Sequence, residues 1–320
     1  MEERIELTRW GKTKEVLRIA YTLPFVMASV VGVVFALTVK QEWLVSFLIP
    51  LDVLFLALFV NFSNDYFDHK SGVDKLRFSL TADPAFQAAV SELFNQKVFW
   101  SGNSLDRQII TDRQGKVLMT FLAAAAVLVS IPIVLYAGWL AIILGLIGLA
   151  LAFFYTAPPV NLGARGLGEL DVMISFSMIS FFSYFVIAQQ FSWSMLFVAL
   201  AIGCGAMLMR LSDEAPGYPA HVKMGEKNLL VRFGLENIGR IEKTILAFMY
   251  AFIVLAVITE PFLVILLLAL PIPLRALRML KTDDLLKYWR PIPQFLLQTL
   301  SIEILAIIAL LSRTVWTSLL

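Results

Sequence analysis

Apolar residues in this chain come in long runs, and polar residues gather in the segments between them. Nine runs approach the length of a membrane-crossing helix: residues 17–38, 43–63, 117–137, 139–155, 170–189, 193–211, 241–258, 261–280 and 293–311. The pattern predicts an all-α integral membrane protein of nine transmembrane helices, with 1–320 as one domain. Pro24, Pro50, Pro132, Pro271 and Pro273 fall inside runs, where membrane helices tolerate them if neighbours satisfy the freed carbonyls. The mixed-charge segment 1–16 reads as an amphipathic helix lying on the membrane. The run after it is too long for the core of a cleavable signal peptide.

Composition agrees: 59% of residues are hydrophobic and 16% charged, which a soluble domain could not bury. The net charge of +2 says little, but the placement of the basic residues says much. With nine spans, Lys40 and Arg313 lie on one side and the other 24 of the 26 Lys and Arg on the opposite side. That asymmetry predicts a cytoplasmic N-terminus and cytoplasmic long loops, with the C-terminus across the membrane. A prokaryotic plasma membrane is the expected location, and nothing points to nucleic acid. The single cysteine, Cys204, lies in an apolar run and reads as a small buried hydrophobe.

Two long polar loops, 64–116 and 212–240, share the basic side. Within the first, residues 81–98 carry apolar positions at helical spacing and predict a helix over the mouth of the bundle. Polar residues at one face rather than the midplane argue against a transporter.

The candidate chemistry starts in the run NFSNDYFDHKSGVD, 61–74, directly after the second apolar run. Asn61, Asn64, Asp65, Asp68 and Asp74 group amides and carboxylates at a helix mouth. Such a set suits a hard divalent cation, and Mg²⁺ usually binds through a few carboxylates plus the phosphates of its substrate. At a membrane surface such a cluster suggests a lipid diphosphate more readily than a soluble nucleotide. A second polar segment, FFYTAPPVNLGARGLGEL at 153–170, ends a helix at Tyr155 and stops it with Pro158-Pro159. Arg165 there is either a ligand cation or a headgroup anchor, and Glu169 either a site residue or a favourable charge at a helix start. Asp52, mid-span, is either a functional carboxylate inside the cavity or a protonated helix–helix contact. The aromatic residues Phe176, Phe181, Phe182, Tyr184 and Phe185 line a channel or pack the core. His69 is assigned no role.

NDYFDHKSGVD, FYTAPP and RGLGEL, in that order on predicted helix ends, resemble the UbiA superfamily of intramembrane prenyltransferases, in particular its menaquinone-type branch. SGNS at 101–104 is a weaker match. The resemblance spans nearly the whole chain. It implies a helical bundle around a central cavity with a cytoplasmic polar cap, in which two aspartate motifs hold Mg²⁺ on an isoprenoid diphosphate. The reaction it implies is transfer of a polyprenyl group to an aromatic, quinone-precursor-like acceptor, with membrane lipids as surroundings. Carried over by position, Asp65, Asp68 and Asp213 would be catalytic. Asn64, Asp65, Asp68, Asp213 and Glu214 would be the metal ligands, with Asp74 supporting them. Asn61, Asn64, Lys70, Arg107, Tyr155, Arg165, Glu169, Tyr218 and Lys227 would bind substrate.

The second motif departs from that pattern. LSDEAPGYPAHVKMGEKNLLVRFG, 211–234, resembles a family variant reading roughly NEFPDYEAD followed by GKRNLVVRLG. Gly217 and His221 stand where its two aspartates belong, and Glu226 replaces a lysine. Asp213 and Glu214 remain as carboxylates, and the loss predicts one Mg²⁺ rather than two. His221 in a loop is expected to be solvated, with a ligand role as the minority reading. The alternative function is a catalytically degenerate membrane subunit that holds a lipid or quinone, with protein partners.

Overall fold

The computed structural model describes residues 8–72, 103–157, 159–282 and 286–319. Every regular element among them is helical. A short entry helix, α1 (Arg9–Leu17), turns into α2 (Ile19–Leu37) at Arg18, whose φ of 46° is left-handed. Then come α3 (Trp43–Ser71), α4 (Asp112–Ala137), α5 (Trp139–Phe154), α6 (Gly168–Ala188) and α7 (Trp193–Glu214). A π-helical turn, Gly163–Leu167, leads into α6. After α7 a 3₁₀ turn (Ala215–Gly217) and two short helices follow, α8 (Tyr218–Met224) and α9 (Leu229–Phe233). The chain closes with α10 (Ile238–Thr259), a 3₁₀ stretch (Pro261–Ala269), α11 (Pro271–Met279) and α12 (Pro291–Leu319). Asp74 and the helix expected at 81–98 lie outside the described residues.

Among the described residues, seven helical segments are long and apolar enough to cross a membrane, or eight if the bent α1–α2 pair is one span. The chain is thus a multi-pass integral membrane protein. The apolar run ending at Tyr155 forms only the shorter α5, of 16 residues. The run 261–280 divides in two, because Pro271 and Pro273 have no N–H to continue the hydrogen-bond ladder and instead begin α11.

The centre of the bundle is α2, α6, α7 and α12. α10, the 3₁₀ stretch and α11 cover one flank, and α3, α4 and α5 the other. In the most apolar stretch of the segment holding α7, 67% of residues are buried, against 17% for α4, so α7 is the axis and α4 faces lipid. Close approach at that axis depends on glycine. A Cβ at Gly203 would lie 2.2 Å from Ser177 Oγ and 2.4 Å from Met173 O, so α7 meets the backbone of α6 directly. Phe176 and Tyr184 pack in this core, against Phe25 and Phe35 of α2. Glu242 of α10 and Glu303 of α12 are also wholly buried, carboxylates that the apolar runs concealed.

Local sequence sets the helix ends. Thr111 and Gln114 form a reciprocal capping box at the start of α4, with Gln114 N to Thr111 Oγ1 at 3.3 Å and Thr111 N to Gln114 Oε1 at 3.0 Å. Gly72, at φ 79°, ends α3 by donating its N–H to Asp68 O at 3.0 Å. Lys40, at the opposite end of α3, donates to Tyr136 Oη at 2.7 Å. Arg313, near the end of α12, pairs with Glu260 at 3.1 Å.

Candidate functional site

The last two turns of α3 carry Asn64, Asp65, Asp68 and Ser71 into the wall of a cavity of about 240 Å³. Spacings of three and four residues put Asp68 on one face with both Asn64 and Asp65. Asp65 is 1% exposed and pairs with Arg18 Nη1 at 2.9 Å, and Arg18 also lines the cavity. The bend at Arg18 lays its guanidinium over the Tyr21 ring, with Cζ 4.8 Å from the centroid. Beneath, Asn103 Nδ2 donates to Asp65 O at 2.6 Å and pins the following turn to α3.

The facing wall comes from α7 and α8. Arg210, Asp213 and Glu214 fall at spacings of three and four residues on the end of α7. Arg210 pairs with Glu214 and stands 3.7 Å from Asp213 Oδ2. The 3₁₀ turn then folds α8 back over the end of α7. His221 is therefore buried at 3% exposure, with Nε2 at 2.6 Å from Glu214 Oε2 and Nδ1 at 2.6 Å from Glu226 Oε2. This corrects the expectation of a solvated loop histidine: residues 212–240 are largely helical, and the back-folded helix carries the imidazole inward. Asn228 caps α9, accepting from Val231 N at 2.9 Å, and donates to Glu214 Oε2 at 3.2 Å.

The third wall is Tyr155, Thr156, Asn161, Gly163 and Ala164. The Tyr155 hydroxyl is buried without a hydrogen-bond partner among the described residues. The loop behind it locks onto the α8–α9 segment. Lys227 N donates to Ala164 O at 2.9 Å, Arg232 Nη2 to Arg165 O at 3.0 Å, and Leu229 N to Glu169 Oε1 at 2.8 Å. Gly166 permits this contact: its φ is 84°, and a Cβ there would lie 2.2 Å from Lys227 O.

Of the residues expected at the site, Asn64, Asp65, Asp68, Tyr155 and Asp213 meet at the cavity. The structure places the others around it. Asn61 is buried in the α2–α3 contact, donating to Thr22 Oγ1 at 3.0 Å. Glu214 is 1% exposed behind the wall, and Tyr218 packs on the apolar core. Lys70 is exposed and paired with Asp112 at 2.8 Å, and Arg107 with Glu15 at 3.1 Å. Arg165 is exposed and donates to Pro159 O at 2.8 Å, and the Lys227 side chain is also exposed. Asp52 is not in the cavity wall. Arg18, Arg210 and Glu226 line the cavity unforeseen. Only Arg210 left a signal, its spacing ahead of Asp213 and Glu214.

An open apolar groove of about 680 Å³ runs beside the cavity between α3, α4 and α5, lined by Phe59, Phe67, Met119, Ala123, Val127, Leu128 and Phe153 among others. Phe67 precedes Asp68 and Phe153 lies just before Tyr155, so groove and cavity are neighbours.

The sequence profile of the UbiA prenyltransferase family matches residues 25–300. The chain belongs to this family. It is 22% identical over 273 residues to 1,4-dihydroxy-2-naphthoate octaprenyltransferase of Bacillus subtilis (strain 168), covering 84% of this chain and 80% of that one. It is 25% identical over 222 residues to 2-carboxy-1,4-naphthoquinone phytyltransferase of Synechocystis sp. (strain ATCC 27184 / PCC 6803 / Kazusa), covering 67% of this chain and 63% of that one. A UbiA homologue from Archaeoglobus fulgidus, solved with DMAPP and Mg²⁺, has the same fold. Its TM-score is 0.61 at 16% identity, covering 91% of this chain and 98% of that one. On the α3 wall, Asn64, Asp65 and Asp68 bring side-chain oxygens to the cavity, the hard donor type that Mg²⁺ takes, and few enough to leave positions for phosphate oxygens.

Proposed function

We propose that this protein transfers a polyprenyl group from an isoprenoid diphosphate to an aromatic, quinone-precursor-like acceptor within the membrane. The observation that carries the reading is the cavity, where Asn64, Asp65 and Asp68 line one wall beside an apolar groove. A diphosphate fits the polar space, and its prenyl chain fits the groove. Mg²⁺, when bound, neutralises charge on the departing diphosphate oxygens.

Asn64, Asp65 and Asp68 would hold the ion, and Arg18 orients the Asp65 carboxylate. The bond from the allylic carbon to the diphosphate oxygen breaks, with its electron pair leaving on oxygen. The allylic cation forms beside Phe67 and Phe153, away from water. An electron-rich ring carbon of the acceptor attacks it, and the ring then loses a proton. Tyr155, whose buried hydroxyl has no hydrogen-bond partner among the described residues, would hydrogen-bond and orient that acceptor.

The basic-residue asymmetry supports a cytoplasmic cavity end. Counting α5 and the bent α1–α2 pair beside the seven long segments supports nine spans. The relatives, named as prenyl- and phytyltransferases, support transfer over the non-catalytic alternative.

The test is reconstitution in nanodiscs with a labelled prenyl diphosphate and either 1,4-dihydroxy-2-naphthoate or 4-hydroxybenzoate. Prenylated product that requires Mg²⁺ and stops with EDTA is expected. No consumption of any prenyl diphosphate with either acceptor would overturn the reading.

A further inference from the structure

On the wall built by α7 and α8, His221 stands between two carboxylates. Its Nε2 lies 2.6 Å from Glu214 Oε2 and its Nδ1 2.6 Å from Glu226 Oε2. Local sequence makes this arrangement. Gly225, at φ 70°, ends α8 by donating its N–H to His221 O and Val222 O. The left-handed turn brings Glu226 back to the imidazole, with Glu226 N donating to His221 O at 3.0 Å. A neutral imidazole has one N–H donor and one lone pair. Between two carboxylates, the nitrogen with the lone pair faces an oxygen that also brings lone pairs. Either a second proton or a metal ion has to occupy that contact. Glu214, His221 and Glu226 bring ligand atoms within 4.8 Å of one another, close enough for one ion.

Position selects the Glu226 side for the ion. His221 and Glu226 line the cavity, whereas Glu214 is 1% exposed behind it, with Arg210 at Oε1 and Asn228 Nδ2 at 3.2 Å from Oε2. A histidine that ligates a metal almost always has its other ring N–H held by a carboxylate, a carbonyl or water, and Glu214 stands at Nε2 to do that. Ligands about 2.1 Å from an ion and at right angles lie about 3 Å apart. Nδ1 and Glu226 Oε2 therefore need to part by only roughly 0.4 Å to admit one. Charge favours the ion over the proton. Among the described residues, four carboxylates and two guanidinium groups line the cavity. One divalent ion on the α3 wall offsets that excess and leaves the charge of a diphosphate unmet. In such a site bound cations are the largest local charges, and a proton on His221 brings half the charge of a second divalent ion.

We infer that His221 Nδ1 and Glu226 form a nitrogen-containing site on the α7–α8 wall for a divalent transition-metal ion, with Glu214 holding the imidazole at Nε2. Imidazole suits such ions better than it suits Mg²⁺. His221 and Glu226 are positions at which this segment departs from the motif it resembles, so the donor set is this chain's own. The remaining positions of the ion face the cavity, where diphosphate oxygens complete them. That last step rests on the reading of the donor as a prenyl diphosphate. Glu214 is a positioning residue, acting through the imidazole.

The test uses full-length protein in nanodiscs, loaded with Mn²⁺ and geranyl S-thiolodiphosphate, an inert donor analogue. Mn²⁺ is the probe because it is paramagnetic and also enters oxygen-only sites, so nitrogen coupling reports an imidazole ligand alone. Pulsed electron paramagnetic resonance on protein with isotope-labelled histidine reads that coupling, which the wild type is expected to show. The chain has two histidines, so two variants assign the signal. His69→Gln should keep it, and His221→Asp, which leaves an oxygen ligand, should lose it. Glu214→Gln should keep it but raise the Mn²⁺ concentration at half signal about 10- to 100-fold, the loss that follows removal of a ligating histidine's outer partner. No nitrogen coupling in the wild type means that a proton alone sits between His221 and Glu226, and overturns the inference. Coupling that is lost in His69→Gln and kept in His221→Asp overturns it as well. A Glu214→Gln half-point within twofold of the wild type overturns the part assigned to Glu214. If His221→Asp does not fold, the wild type and His69→Gln decide. Prenyl transfer without coupling would sink this inference alone. Coupling without transfer would sink only the transfer reading, and the absence of both would sink both.

Discussion

Asp68 sits one turn after Asn64, and Gly72 closes the helix immediately beyond it. The carboxylate is thus held on rigid backbone at the cavity edge, where a small displacement would change the metal geometry. Asp65→Asn and Asp68→Asn should each lower the transfer rate about 100-fold or more, the scale of losing a group that stabilises transition-state charge. Initial rates across a Mg²⁺ titration check this; near-normal rates in both variants would place the ion elsewhere. His221 gives a different expectation, because it bridges two carboxylates rather than facing solvent. Removing one partner from a buried ionic cluster costs about 3–5 kcal/mol. His221→Ala should therefore lower the unfolding temperature in detergent clearly, and Lys223→Ala, on the exposed face of α8, should not. Equal melting of the two variants would contradict the cluster.

At the level of elements, the cavity depends on two segments far apart in sequence, Gly163–Leu167 and the α8–α9 region, closing on each other. Gly166 is the point of contact, with positive φ and no room for a methyl group. Gly166→Ala should destabilise the protein by about 1–3 kcal/mol, as a strained backbone position does. It should also raise the KM for donor by loosening Tyr155, and limited proteolysis between residues 156 and 168 would report the loosening. Unchanged KM and protease resistance would mean that the loops dock by other contacts. The groove belongs to α3, α4 and α5, rather than to the α6 aromatics that the sequence offered equally as channel or core. Ala123→Trp on α4 should raise KM more for a long polyprenyl diphosphate than for geranyl diphosphate. Equal effects on both donors would remove the groove from the path of the chain.

For the whole molecule, the charge pattern predicts an orientation that labelling can check. Cys204 is buried at 2% exposure, so a Cys204→Ala background is suitable for single-cysteine labelling. An impermeant maleimide added outside intact cells should label Lys40→Cys and spare Arg113→Cys. The reverse pattern would invert the topology. These residues mark opposite ends of the bundle: Lys40 bonds Tyr136 at the far end of α4, and Arg113 opens that helix.

Membrane insertion, most of the spans and the α3 wall were legible in the chain itself, because each is a local property. Apolar runs need no partner to declare themselves, and Asn64, Asp65 and Asp68 share one short stretch on one helix end. The RGLGEL segment was legible as a site-forming loop for the same reason, since its glycines mark a close approach. What the sequence could not reveal were pairings between distant segments. Arg18 meets Asp65 across 47 residues, only because α1 and α2 bend at Arg18. His221 reads as a loop residue until α8 folds back onto α7 and sets it between Glu214 and Glu226. Only the tertiary structure decided which charges face the cavity and which are spent on one another, because a charge in a low-dielectric interior is governed by the partner that packing brings to it.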